Sequence, residues 1–339
     1  MAAGAPLSLA SAQRSSYSIC ISREASASER RAASELQYFL ERMCGVRLAI
    51  VTDEKKPEGA LILVGRSTVL DSVTNSIPYE ELGHEGFALK TVGPHLAIAG
   101  GRQRGTMYGV YTFLEKLGCR WYAQDAARIP TMPALRVPPL DETQKPAFEY
   151  REIFIKEAAG KDWAARNKTN GNFSDLDEST GGKVIYYPFG HSFYSIIPPE
   201  KYFSTHPEYF ALVNRERVAV RAQLCLSNPD VVRIGIETVL RWAQEHPEAS
   251  IYSVSSNDAD GQCECSECRR IEEEEGAPSG LVVRYVNAIA EAVCRKHPEK
   301  LIDTFAYRYC ERPPHKTRVQ PNVRVRIAPS GACQGHPYE

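Results

Sequence analysis

The spacing of apolar residues changes several times along the first third of the chain. "YSICIS" (17–22) alternates apolar and polar positions, the period of a half-buried strand. "ASERRAASELQYFLERMCG" then places Ala33, Leu36, Leu40 and Met43 at helical spacing, and Gly45 stops the run. "VRLAIV", "ALILVG", "GFALKTV" and "HLAIAG" are short apolar runs between Gly, Pro and Asp turns, and they predict strands. "RQRGTMYGVYTFLEKLG" predicts a second helix, with Tyr108, Tyr111, Phe113 and Leu114 as its bulky positions and Gly118 as its end. Residues 17–125 therefore predict a small α+β domain behind a disordered N-terminus, 1–16. "IPTMPALRVPPLDETQKP" holds five prolines in eighteen residues. Proline lacks an amide donor and disfavours helix just before it, so 126–146 predicts a linker.

From residue 147 on, strand-like and helix-like runs alternate. "YREIFI" (150–155), "VIYYPFGHS" (184–192), "RAQLCLS" (221–227), "SIYSVSS" (250–256), "LIDTFAY" (301–307) and "NVRVRIAP" (322–329) predict six strands. "DWAARNKTNG" predicts a short helix. Another follows "SNPD", where Ser227 or Asn228 can cap and Pro229 fits the first turn; its stripe is Val232, Ile236, Val239 and Ala243. A third runs from about Leu281 through Val282, Val286, Ile289 and Val293. Such alternation implies parallel βαβ units. No Gly-rich phosphate fingerprint follows the first strand, which disfavours a doubly wound dinucleotide fold. The fold class expected is α/β: an α+β domain, then a (β/α)8-type barrel over 147–339, cut short after strand six. Two further strands would be needed to close it.

Charge alters this picture little. Lys and Arg number 41 against 42 Asp and Glu. No basic excess points to nucleic acid. No apolar run reaches the roughly 20 residues of a membrane span. "MAAGAPLSLASAQRSS" lacks the basic start and apolar stretch of a complete signal peptide, so the location stays open. Oligomeric state is not encoded in any motif.

Barrel active sites lie at the C-terminal ends of the strands. Those ends carry Gly190-His191-Ser192, Ser227-Asn228, Asn257-Asp258 with Asp260, and Tyr307 with Tyr309; strand one carries Arg151 and Glu152, with Lys156 and Glu157 at its exit. A carboxylate, an amide, an imidazole and tyrosines on one rim suit a polyhydroxylated substrate. Asp258 equally suits a helix cap or a turn, and a lone His191 equally suits a structural hydrogen bond. The "EEEE" run (272–275) reads as a solvated face or helix start. "NKTN" and "NFSD" hold sequons at Asn167 and Asn172, no more than chance supplies.

Ten cysteines are present. Cys20, Cys44, Cys119, Cys225, Cys294 and Cys310 sit in or beside apolar runs, where the thiol behaves as a small hydrophobe. Cys263, Cys265 and Cys268 cluster in a C-x-C-x-x-C spacing. Three states are open to them. They supply three ligands of a structural zinc, which then takes a distant fourth donor such as Cys310 or Cys333. They form a disulfide within the loop. Or they pack as free thiols. No cofactor for catalysis is expected.

"SSNDADGQCECSECRRIEEEEG", followed by "VVRYVNAIAEAV", "LIDTFAYRY" and "PNVRVRIAP", resembles the domain of unknown function 4838, as does "PPEKYFSTHPEYFAL…AQLCLSNPD" upstream. Part of that group is glycoside hydrolase family 163, whose characterised activity is endo-β-N-acetylglucosaminidase on complex N-glycans. "AASELQYFLERMCGVRLAIV" and "RGTMYGVYTFLEKLGCRWY" look like the α+β domain preceding the barrel in α-glucuronidases and β-hexosaminidases. The resemblance implies a retaining hydrolase working on a carbohydrate, secreted or periplasmic in full-length relatives, and the first expectation is hydrolysis of a β-linked amino sugar or similar glycan. It implies that Asn257-Asp258 hold the catalytic place and that Arg151, His191 and Tyr307 contact sugar. The competing expectation is a non-catalytic carbohydrate-binding or degenerate barrel, this chain being an inactive fragment.

Overall fold

Ser26 starts the first long helix, α1 (Ala27–Cys44). Its hydroxyl accepts from the Glu29 amide, and the Glu29 carboxylate accepts from the Ser26 amide, so two otherwise orphaned donors are satisfied. Gly45, left-handed at φ 74°, ends the helix and donates to the Glu41 carbonyl. Ala32, Ala33, Leu36, Phe39, Leu40 and Met43 form its buried stripe. The computed structural model describes residues 6–54, 57–329 and 335. The chain divides into two units, Met1–Lys183 and Val184–Glu339.

The first unit holds β1 (Leu7–Ser11), β2 (Tyr17–Ile21), α1, β3 (Ile50–Thr52), β4 (Ala60–Val64), β5 (Phe87–Val92), β6 (His95–Gly100), α2 (Gly105–Lys116), β7 (Ala134–Val137) and β8 (Asp141–Gln144). Its main sheet runs β8-β5-β6-β4-β2-β3. The β3, β2, β4 and β6 neighbours are parallel; β5 pairs antiparallel with β6 and with β8. Ile19, Ile62 and Ile98 on one face pack with Leu36 and Leu40 of α1 and with Tyr108 and Tyr111 of α2. Cys20, Leu61, Leu63 and Ala97 on the other face meet Leu70 and Leu82.

Three expectations change in this unit. Residues 7–11, expected to be disordered, form β1, because Leu7 and Leu9 bury their side chains and the backbone pairs with β7. The proline-rich stretch is not a free linker. Leu135 and Val137 are buried, Pro138 and Pro139 fall between β7 and β8 where no ladder donor is needed, and β8 extends the main sheet. Residues 150–155 form no strand. Arg151 gives its amide to the Asn170 side chain and takes the Asn170 amide on its carbonyl, while Ile153, Phe154 and Ile155 stay exposed.

The second unit holds β9 (Tyr186–Tyr187), α3 (Pro229–Glu245), β10 (Ile251–Ser253), α4 (Ser266–Glu275), α5 (Ser279–Lys296), β11 (Leu301–Ala306) and β12 (Val323–Ile327). The four strands are all parallel and lie in sequence order, β9-β10-β11-β12. Asn228, not Ser227, caps α3 by accepting from the Asp230 amide, with Pro229 in the first turn. Tyr252, Val254, Ile302 and Val323 pack with Val239 and Trp242 of α3 and Val286, Ile289 and Val293 of α5. Truncating such a buried residue to Ala costs about 2–5 kcal/mol.

The unit is therefore mixed α/β. A closed barrel is not formed: among the described residues the sheet has four strands, with β9 and β12 as its edges. The expected strand at 221–227 is the other difference. It makes one isolated bridge, Phe210 to Leu224, through the Cys225–Tyr209 and Ala211–Gln223 backbone bonds; beyond it the Gln223 amide donates to Gly261 and the Cys225 carbonyl accepts from Asn228. No helix among the described residues is long and apolar enough to cross a membrane.

Candidate active site

Residues that alternate along a strand face opposite sides of the sheet. In the second unit the apolar set faces α3 and α5, which leaves Ser253, Asp303 and Arg326 on the other face. Asp303 is buried and accepts from Arg326 at 2.6 Å. The Arg326 guanidinium lies over Phe305, 4.5 Å from the ring centre, and over Phe189 at 4.9 Å. Burial pushes the Asp303 carboxyl above its ordinary value, against the opposing pull of Arg326.

The C-terminal strand ends bring three of the expected residues together. Tyr307, just past β11, donates its hydroxyl to Asp258 Oδ1 at 2.8 Å. His191, after β9, packs edge-on to Phe305 at 5.0 Å and 5.8 Å from Tyr307, ring centre to ring centre. Its Nδ1 donates to the Ser256 carbonyl at 2.5 Å, which turns the Nε2 edge of the ring away from that bond. Asp258 is 61% exposed, and Arg308 lies 3.7 Å from its Oδ1 while pairing with Asp260 at 3.2 Å. Asp258 Oδ2 has no hydrogen-bond partner among the described residues. The outcome is an open rim with a carboxylate, an imidazole and a phenol on neighbouring strand ends.

Asn257 is beside this rim but turned into the scaffold. Its side-chain amide donates to the Ala222 carbonyl at 2.9 Å, and its oxygen accepts from the Tyr194 amide at 3.3 Å. Arg151 belongs to the first unit. There it binds Glu85 at 2.9 Å and the carbonyls of Lys168 and Phe148, while Glu85 also takes Arg104 at 2.7 Å and Asn170 at 2.8 Å. Burial alone would raise the Glu85 carboxyl; the bonds from Arg151, Arg104 and Asn170 outweigh it and hold the group below its ordinary value.

Gln223 is a residue that no motif marks. It is buried, and it holds the loop that carries Asp258. Its Nε2 donates to the carbonyls of Ala259 at 2.6 Å and Asn257 at 3.1 Å, and its Oε1 accepts from the Asn257 amide at 2.9 Å. Gly261 completes the turn at φ 71°, where a side chain would meet Ala222 at 3.2 Å. The cysteines follow at once. Cys263, Cys265 and Cys268 lie together with Cys225, all four sulfurs within 4.8 Å of one another. Cys310, one expected partner, lies elsewhere and donates to the carbonyls of Tyr307 and Phe305. Cys333, the other, is outside the described residues.

Known proteins bear on this arrangement in three ways. The model described as Glycosyl hydrolase family 67 N-terminus matches residues 7–113. A solved family GH115 4-O-methyl-α-glucuronidase, specific for decorated arabinogalactans, is similar in fold: 14% identity, TM-score 0.51, over 94% of this chain and 45% of that one. Flavobacterium johnsoniae chitobiase matches at 12% identity and TM-score 0.47 over 95% and 52%, and the GH20 β-N-acetylhexosaminidase of Streptomyces coelicolor A3(2) at 13% and 0.46 over 96% and 67%. The chain thus spans about half the length of the first two, 45% and 52%. No curated protein matches it. The model described as Domain of unknown function (DUF4838) matches residues 121–339, more than half of the sequence, and the chain belongs to that family.

Proposed function

We propose that the second unit carries the sugar-binding rim of a glycoside hydrolase acting on β-linked N-acetylglucosamine in glycans, with endo-β-N-acetylglucosaminidase action in the whole protein. One observation carries the reading. Asp258 follows a parallel strand with Oδ2 unpartnered among the described residues, and it is bonded from the next strand end by Tyr307, whose ring lies 5.8 Å from that of His191 on the preceding strand end. Parallel strands in sequence order, with helices packed on one face and polar side chains on the other, are also the arrangement of a sector of a (β/α)8-type barrel. Sugar hydroxyls pair with carboxylates and imidazole nitrogen, and pyranose faces stack on aromatic rings.

Glycosidases flank the scissile bond with two carboxylates, or with one carboxylate and the substrate's own acetamido group. In the second scheme Asp258 is the residue that orients the acetamido group, and the proton for the leaving oxygen comes from a separate acid. An oxygen already fixed by Tyr307 holds the carboxylate in place, and the free oxygen can take an acetamido N–H and turn the acetamido oxygen toward the anomeric carbon. Asn257 positions this group and does not touch substrate.

A second reading, glycan binding without turnover, is favoured by the commitment of the Asn257 amide to Ala222 and Tyr194 and by the pairing of the neighbouring Asp260 with Arg308. Assay of a complex N-glycan and an aryl β-N-acetylglucosaminide decides between them. Turnover that falls by orders of magnitude in Asp258→Asn supports hydrolysis. Saturable glycan binding with no turnover supports the second reading, and near-normal turnover in Asp258→Asn removes that residue from the mechanism.

A further inference from the structure

Cys225 is forty residues upstream of Cys265 in sequence, yet their sulfurs are 3.7 Å apart, and Cys225 is 3.9 Å from Cys268. Cys263 completes a set of four whose sulfurs all fall within 4.8 Å of one another. Four sulfurs bonded to one zinc at about 2.3 Å form a tetrahedron with edges of about 3.8 Å. The two separations above match that edge. They are far from the roughly 2.05 Å of a disulfide, and all four cysteines are free. Cys225, Cys263 and Cys268 are buried and Cys265 is half-buried, so the four donors close around a centre that leaves no position for substrate or water.

Donors and a cation surround the sulfurs. Zinc with four thiolates carries two net negative charges, which a buried site must offset with donors and cations. The Leu212 amide points at Cys263 Sγ from 3.3 Å, and the Arg217 guanidinium lies 3.7 Å from the same sulfur. The Ser227 hydroxyl is 3.1 Å from Cys268 Sγ and 3.8 Å from Cys265 Sγ. A backbone amide, a guanidinium and a hydroxyl converging on sulfur are the donors that a buried four-thiolate zinc requires.

We propose that Cys225, Cys263, Cys265 and Cys268 bind one structural zinc ion, which ties the 221–227 segment to the loop after β10. That segment also carries Gln223, whose amide holds residues 257–260. Metal and amide together would fix Asp258 from both sides of Gly261. The site is closed, so the ion shapes the loop and takes no part in bond breaking. This inference does not depend on the glycosidase reading, and its test reads metal, not turnover.

The 339-residue chain is purified under reducing conditions from cells supplied with zinc, and its metals are quantified by mass spectrometry. Stoichiometric zinc is expected, retained by Cys310→Ser and reduced to trace levels by Cys225→Ser. Should Cys225→Ser fail to fold, wild-type protein exchanged with cobalt(II) replaces it. Intense visible bands of a four-coordinate thiolate site, with thiolate-to-cobalt charge transfer, support the assignment. Stoichiometric iron in place of zinc, trace metal with four titratable thiols, zinc unaffected by Cys225→Ser, or cobalt spectra of a six-coordinate oxygen site would each overturn it.

Discussion

The Tyr307 hydroxyl donates to Asp258 Oδ1 at 2.8 Å and so joins the end of β11 to the loop after β10. A hydrogen bond to a charged group contributes about 1.5–3 kcal/mol, which as lost transition-state stabilisation corresponds to about 10–160-fold in rate. Tyr307→Phe keeps the ring beside His191 and removes only the donor. In a glycan-hydrolysing form of the protein, kcat/KM is expected to fall by that factor while the melting temperature stays close to wild type. Unchanged kcat/KM would mean that the bond does not position the carboxylate.

Arg151 makes a contrasting prediction. Its guanidinium binds Glu85, Lys168 and Phe148 through Nε and Nη1 within the first unit. Glu85 is 12% exposed, and removal of one partner leaves its charge short of a cation in a poorly solvated place. Breaking such a pair costs about 3–5 kcal/mol. Arg151→Met is expected to lower the stability of the first unit by an amount toward the lower end of that range, since Arg104 remains. Denaturant unfolding checks this; a loss below about 0.5 kcal/mol, the scatter of ordinary surface substitutions, would show that Arg104 alone suffices.

What could be read from the sequence follows from how local each signal is. α1, α3 and α5 have long apolar stripes at helical spacing, and β10 through β12 sit between clear turn residues; such patterns need no distant partner to be legible. Residues 150–155 and 221–227 are short apolar runs of the same appearance, but a strand exists only where a neighbour offers its ladder, and their backbones pair with Asn170 and with the 209–211 segment instead. Cys225 was hidden in the same way. Its sequence neighbours are apolar, and only the fold brings it to the C-x-C-x-x-C loop. Gln223 carries no local mark, because the carbonyls its side chain holds lie more than thirty residues away, and the burial of Glu275 depends on Lys316 and Thr317, which are as distant.

Asn257 tests the scaffold behind the rim. Asn257→Ala removes a donor to Ala222 and an acceptor for Tyr194, leaving partly buried backbone groups unpaired. An unsatisfied buried group costs about 1–3 kcal/mol. Stability is therefore expected to fall by about that much, with Asn257→Asp recovering only the Tyr194 contact. A glycan-binding isotherm measured in parallel separates positioning from contact: weaker binding that tracks the stability loss fits a positioning residue, whereas lost binding at wild-type stability would make the amide a direct ligand.

Glu275 ends the acidic run that reads as a solvated face, yet its side chain is fully buried. It accepts from the Thr317 hydroxyl at 2.6 Å, the Thr317 amide at 3.0 Å, the Lys316 amide at 3.2 Å and Arg284 Nη2 at 2.5 Å, and thereby fastens residues 315–317 to the end of α4. Burial alone would raise its carboxyl; the Thr317 bonds, then Arg284 and Lys316, outweigh that and carry it down to about 2. The sign follows from proton linkage. An unfolded glutamate titrates at about 4.3, so between that value and the folded one the unfolded chain binds more protons and stability rises with pH. The stabilisation is complete above the unfolded value and is lost as pH falls toward about 2. Glu275→Gln keeps the volume and removes the titrating group. At neutral pH it is expected to cost about 1.5–3 kcal/mol, the range for hydrogen bonds to a charged group, and the difference from wild type should shrink steadily on acidification. Urea unfolding of both proteins across the acid range checks the slope. A cost that is the same in acid as at neutral pH would mean that shape, and not the carboxylate charge, holds the 315–317 segment.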